Sequence, residues 1–164
     1  MIKNPWLWSL SFLAIGVDRF SKYWVDSHLS VGETTSFLPG VLQITLTRNT
    51  GAAFSLFSGG SDWLKWVSLI VSVGLVVYGM TVLLGLWEQF GFGLLLGGAV
   101  GNGFDRFVYG QVTDFLELRF MQFPVFNLAD VAINVGLICL VAGTLWGNRD
   151  DSAHRSAKPG DNAP

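Results

Sequence analysis

Charge is what this sequence has least of. Asp, Glu, Lys and Arg make up 13% of its 164 residues, about half the share of an ordinary soluble domain. No basic stripe stands out, and the formal charge is −2, which excludes a nucleic-acid partner on electrostatic grounds. A single cysteine, Cys139, excludes an internal disulfide and, placed in an apolar run, reads as a lipid-facing or core residue. The two histidines, His28 and His154, lie far apart in the chain. With one cysteine and no clustered histidine there is no metal-ligand set, so neither metal nor cofactor is expected. What is abundant is apolar: 51% of residues are hydrophobic, with 7 Trp and 13 Phe. That is a membrane composition, in one domain's worth of chain.

Four apolar stretches are long enough for the ~20 residues a helical span needs. The first, roughly Pro5 to Val25, follows Lys3 and has the look of a signal peptide. Asp18, Arg19 and Lys22 stand where a small-residue cleavage site would be, so a retained transmembrane helix is expected. Asp18 and Lys22 are four apart with the acid first, share a helix face and can pair. The second span, Trp63 to Trp87, is apolar all round, and a hairpin at Glu88-Gln89 is expected to lead into the third, Phe90 to Phe107. There Gly93, Gly97 and Gly101 recur every four residues, a spacing that lets helix backbones approach closely. Asn102 and Arg106 are expected to face the bundle interior, and Asp105 to form an interface ion pair with Arg106 or another partner. The fourth span runs from Asn127 to about Trp146, with Asn127, Asp130 and Asn134 on one face of its opening turns.

Two polar stretches separate these spans. VLQITLT (Val41 to Thr47) and VTDFLEL (Val112 to Leu118) have strand character. The fold class expected is therefore an α-helical integral membrane protein, with four transmembrane helices and a small extramembrane β-sheet region on one face. Residues 1–147 form the membrane domain, with the β region at about 26–62 and a loop at about 108–126. Residues 148–164 form a polar, disordered tail. Four spans put both termini on one side. A count of Lys and Arg would put that side outside, but several of the counted residues look committed to a site, so charge leaves orientation open.

Polar side chains inside a membrane are costly and point to function. The stretch from Gly97 to Asp130 carries Asn102, Asp105, Arg106, Asp114, Asn127 and Asp130. Asp114 follows the third span and Asp130 tops the fourth. Two carboxylates brought together share one proton, and such a pair can activate water against an amide. A proton-coupled transporter also carries intramembrane aspartates, but would string polar groups along a path, and the second span has none. A serine protease using Ser21 or Ser55 with Lys22 as base leaves the two aspartates unexplained. A purely structural membrane protein explains the polar cluster least well.

Five motifs occur in order along nearly the whole chain: D-x-x-S-K at Asp18 to Lys22, N-T-G-A-A-F-S at Asn49 to Ser55, G-G-A-V-G-N-x-x-D-R at Gly97 to Arg106, V-x-D-F at Val112 to Phe115, and F-N-x-A-D at Phe126 to Asp130. In these the sequence resembles the lipoprotein signal peptidases, the type II signal peptidases of bacterial membranes. The resemblance implies a four-helix intramembrane aspartyl protease that removes the signal peptide from diacylglyceryl-modified prolipoproteins before the lipidated cysteine. It maps the catalytic pair onto Asp114 and Asp130. Asn49, Gly98, Asn102, Arg106 and Asn127 match positions that line the site or hold substrate, and Asp18 and Lys22 a polar pair supporting it. It also implies a multi-pass protein of the bacterial inner membrane, with cytoplasmic termini and a site facing outward. The expected partners are the prolipoprotein substrate and membrane lipid, with the protein itself a monomer. Gly103 and Val131 depart from the usual pattern, and Val131 adjoins Asp130.

Overall fold

The structure is a computed structural model, and it describes residues 3–51 and 63–156, with side chains as far as residue 145. Its elements in order are α1 (Pro5–His28), β1 (Thr34–Leu38), β2 (Leu42–Asn49), α2 (Trp63–Thr81), α3 (Leu86–Tyr109), β3 (Val112–Leu118) and α4 (Leu128–Ser156). Ala52 to Ser55 of the second motif, Ser55 among them, and the last residues of the tail lie outside the described residues.

Outward faces show what surrounds the helices. Phe12, Phe20, Ile70, Leu83, Ile138 and Leu145 are all largely exposed. Only 11% of the apolar windows Trp63–Thr81 and Leu128–Leu145 is buried. Helices this apolar and this uncovered are solvated by hydrocarbon, and the chain is a membrane protein. α1 and α3 carry the charges instead, and turn them inward: Asp18, Lys22 and Asp105 are buried.

α3 sits at the centre, packed on α1, α2 and α4. Its glycines divide between two partners. A Cβ on Gly93 would meet the Leu7 backbone, one on Gly97 the Ala14 side chain, and one on Gly101 would stand 2.6 Å from Asp18 Oδ2. The four-residue repeat is thus the contact with α1. Gly98 faces α4, where a Cβ would strike the Ala129 carbonyl oxygen and lie 2.6 Å from Ile133 Cγ1. Backbone cannot yield as a flexible side chain can. Gly98→Ala is expected to cost about 1–3 kcal/mol, the usual penalty of overpacking, read as a lowered thermal midpoint in detergent; an unchanged midpoint would mean that α3 and α4 are not this close.

The α2–α3 connection falls earlier than the sequence suggests. Residues 82–85 make the turn, and Glu88 and Gln89 belong to α3. The reason is capping: Glu88 Oε2 accepts the Gly85 N–H at 2.8 Å, so the acid starts a helix rather than linking two. Asn4 locks the turn from the far end of the chain. Its Nδ2 donates to the carbonyls of Gly79 (2.8 Å) and Val82 (2.7 Å), and its Oδ1 accepts the Leu84 N–H at 3.0 Å. The start of α1 and the α2–α3 turn therefore share one end of the bundle.

The opposite end carries an antiparallel sheet of order β1-β2-β3. β3 spans the residues expected of it, and β2 runs two residues further than its strand signal. β1 is an edge strand, exposed throughout, with no apolar alternation to announce it. Ile44, Leu46 and Phe115 pack on Val25 of α1 beneath the sheet. Ile44 pairs with Leu116 but Thr47 with Asp114, so β2 holds one extra residue, a bulge that re-aims its end. Beyond it Asn49 lies opposite Val112 and diagonal to Asp114 on the same face. α3 ends on Gly110, whose φ of +71° suits a residue without Cβ, and the chain turns directly into β3. At its other end α4 stays helical to Ser156, past the apolar run that ends near Trp146. Residues 148–156 contain neither Pro nor Gly, so nothing in this part of the expected tail interrupts the helix.

Candidate active site

A cleft of about 780 Å³ opens between the sheet end of the bundle and α4, lined by Asn49, Asn102, Arg106, Asp114, Asp130 and Asn134 among others. These side chains come from β2, α3, β3 and α4, and asparagines join them. Asn127 caps α4: its Oδ1 accepts the Asp130 N–H at 3.0 Å, while Asp130 Oδ2 accepts the Asn127 N–H at 3.2 Å. This reciprocal pair is a capping box, and an acid at that position suits the helix dipole. The same asparagine reaches across the cleft, where Asn127 Nδ2 donates to Asp114 Oδ1 at 2.6 Å and to Asn102 Oδ1 at 3.1 Å. Asn102 Nδ2 donates to Asp130 Oδ1 at 2.7 Å. Asn49 Nδ2 donates to Asp114 Oδ2 at 2.9 Å. Both carboxylates thus accept two hydrogen bonds, and a single residue, Asn127, bonds to both.

Beneath this layer lies a buried ionic cluster. Lys22 Nζ is 2.8 Å from Asp18 Oδ2, 2.8 Å from Asp105 Oδ2 and 3.0 Å from Asn102 Oδ1. Its contact with Asp18 Oδ2 is a buried ion pair between successive turns of α1. Asp18 Oδ1 accepts the Ala129 N–H at 3.0 Å, satisfying another open donor at the start of α4. Asp105 pairs with both Arg19 and Lys22 rather than with Arg106, whose N–H groups reach the carbonyls of Asn102 and Gly51 at 3.4 Å. A lysine ammonium has donors only, so Lys22 dictates that Asn102 turns its oxygen inward and its N–H toward Asp130. That link was not legible from spacing. The pairing of Asp18 with Lys22 was.

Asp114 lies on β3, outside the spans, and is buried. Burial raises its carboxyl from the ordinary 3.8 to about 6; the Asn49 and Asn127 amides and Lys22 oppose the rise, and the charge of Asp130 adds to it. The unfolded chain loses this proton near 3.8 and the folded one near 6, so the group's contribution to stability is fullest below that window and falls as pH rises through it.

Of the residues singled out from the sequence, Asn49, Asn102, Arg106, Asp114, Asn127 and Asp130 come together at this cleft. Gly98 sits one turn before Asn102 against α4. Ser21 does not join them; its Oγ donates to the Asp18 carbonyl at 2.9 Å. Among the described residues no group of three or more His, Cys, Asp and Glu is arranged to hold a metal ion.

Fold and site together define a four-helix membrane protein with two aspartates held in one cleft at its sheet-bearing end. Residues 10–146 match the family model described as signal peptidase (SPase) II. The chain is 65% identical over 144 residues to a lipoprotein signal peptidase of Gloeobacter violaceus, covering 87% of this chain and 83% of that one. It is 51% identical over 144 residues to the lipoprotein signal peptidase of Thermosynechococcus vestitus, covering 85% and 91%. In structure it is similar to a bacterial membrane enzyme determined by the in meso method at 2.3 Å resolution, with a TM-score of 0.79, 28% identity and coverage of 93% of this chain and 92% of that one. The chain belongs to the signal peptidase II family, a family of peptidases.

Proposed function

We propose that the protein is an intramembrane aspartic endopeptidase that cleaves diacylglyceryl-modified prolipoproteins just before the lipidated cysteine. The observation that carries this reading is the joint holding of Asp114 and Asp130 by Asn127, which bonds to both across one cleft. Close carboxylates share a proton, and the pair titrates as a unit. The ionised member takes a proton from water as the water oxygen attacks the scissile carbonyl carbon. The protonated member donates to the carbonyl oxygen. The tetrahedral diol then collapses as a proton passes to the leaving nitrogen and the C–N bond breaks, and the two carboxyls again hold one proton between them. No covalent intermediate is needed.

The remaining residues have supporting roles. Asn49, Asn102 and Asn127 hold the carboxylates. Asn127, fully buried with both amide hydrogens engaged, acts only in this way, whereas Asn49 and Asn102 line the cleft and offer amides to an extended peptide that lipid cannot satisfy. Arg106 stands at the cleft wall, and Gly98 keeps α3 and α4 close. Asp18 and Lys22 anchor the start of α4 and the Asn102 amide. With the termini in the cytoplasm, the sheet and cleft lie at the outer face of the bacterial inner membrane. There a substrate's signal segment can span the bilayer while its acyl chains, worth about 0.8 kcal/mol per buried CH₂, remain in it. The protein acts as a monomer in this scheme, and residues 1–147 suffice for it.

The test is incubation of purified protein with a diacylglyceryl-modified prolipoprotein and mass analysis of the products. A new amino terminus at the lipidated cysteine supports the reading. Cleavage elsewhere, or equal cleavage of the unlipidated precursor, contradicts it. A pH profile adds a second check. Loss of the shared proton ends activity on the alkaline side, and that limb belongs to the pair, to which burial of Asp114 contributes. Asn49 stabilises the Asp114 anion; removing its N–H lets the proton persist to higher pH. Asn49→Leu should therefore move the alkaline limb of kcat/KM upward, and a downward shift would contradict the assignment.

A further inference from the structure

The lower wall of the cleft holds a polar group that the chemistry leaves unused. Asn134 lies one turn beyond Asp130 on α4 and lines the cleft beside Val131, Ile133 and Val135. Its Nδ2 donates to the Asp130 carbonyl at 2.8 Å, which engages one of its two amide hydrogens. The second hydrogen and Oδ1 have no partner among the described residues, and the side chain is exposed. Asn134 falls within the apolar window Leu128–Leu145, where a polar group left unmet by water or substrate is costly. One open donor and one open acceptor match the N–H and C=O that an extended peptide presents.

We infer that Asn134 is a substrate-binding residue that pairs with a main-chain amide of the signal segment as it enters the cleft unwound. This inference rests on the proposed peptidase reading. Four helical residues advance about 6 Å, close to two residues of extended chain at about 3.3 Å each. α4 runs from the sheet end into the bilayer, and the signal segment descends the same way. The amide is therefore the one joining the second and third residues on the signal-peptide side of the cleaved bond. A helical signal segment satisfies that amide itself. An unwound one cannot, so Asn134 favours the conformation in which the bond can be cut. Asn134 thereby selects on backbone shape rather than on side-chain identity.

The experiment compares wild type, Asn134→Leu and Asn134→Ala on two diacylglyceryl-modified substrates, one all-amide and one with an ester replacing that single amide. Leucine keeps the helix and the volume, and alanine guards against a packing fault. On the all-amide substrate both variants should raise KM about tenfold, the effect of one or two lost hydrogen bonds, with kcat within about twofold. The ester should raise KM about tenfold for wild type and add nothing for either variant. An equal ester penalty in wild type and variants overturns the inference, as does a wild-type KM in both variants. A third substrate with ether-linked chains removes the lipid carbonyls; if it alone abolishes the difference between wild type and variants, Asn134 binds the lipid and the peptide assignment fails. Should wild type not cut the all-amide substrate, the peptidase reading falls and this inference with it.

Discussion

Lys22→Met lowers stability by about 3–5 kcal/mol, the cost of breaking a buried ion pair from one side. Lys22 is 1% exposed, and Asp18 and Asp105 are fully buried. Removing the cation leaves two carboxylates facing each other in a low-dielectric interior, with Arg19 able to serve only Asp105. The effect passes upward as well. Without the ammonium on its oxygen, the Asn102 amide is held in its orientation by the Asn127 N–H alone, and the 2.7 Å bond it donates to Asp130 is less firmly fixed. The thermal midpoint in detergent should fall by about 10 °C, and cleavage should fall further than the folded fraction accounts for. Lys22→Met combined with Asp18→Asn should recover part of the midpoint, because Asp18 is the charge that Arg19 does not serve and it is then gone. A single variant as stable as wild type would mean that the cluster is hydrated and the packing of α1 on α3 looser than described.

The largest effect belongs to the aspartates. In the proposed mechanism both carboxyls pass protons, so Asp114→Asn and Asp130→Asn should each lower the rate by about 10³-fold or more, within the range of positioned acid–base catalysis. The folding cost is alike for the two. At position 114 the carboxylate accepts from both Asn49 and Asn127, and at position 130 from the Asn127 N–H and the Asn102 amide; a carboxamide can accept at only one end. Each substitution therefore forces one partner to turn, even where the Asn127 capping bond survives, and should lower the thermal midpoint by a few degrees.

Particular residues show how much of this was legible beforehand. β3 was plain in its alternation, and α1, α3 and α4 in their apolar runs. β1 was not, since an exposed edge strand carries no burial pattern. Two polar residues interrupting apolar sequence make Glu88-Gln89 look like the hairpin, but glutamate three residues after a glycine is equally a helix start, and Asn4 decides the matter from across the fold. The aspartates and the motifs around them point to the residues of the cleft. They do not give the connections, because hydrogen-bond partners depend on which way each carboxamide faces. Asp105 illustrates the point: its neighbour Arg106 is adjacent in sequence, yet successive residues of a helix point apart, and the partners are Arg19 and Lys22 on α1.

The central claim is that Asp114 and Asp130 together perform hydrolysis, and the most direct test is cleavage of a diacylglyceryl-modified prolipoprotein by wild type, Asp114→Asn and Asp130→Asn at matched folded concentration. The account predicts cutting before the lipidated cysteine by wild type and no measurable product from either folded variant. Cutting at a near wild-type rate by either variant would contradict it, because one carboxyl would then suffice.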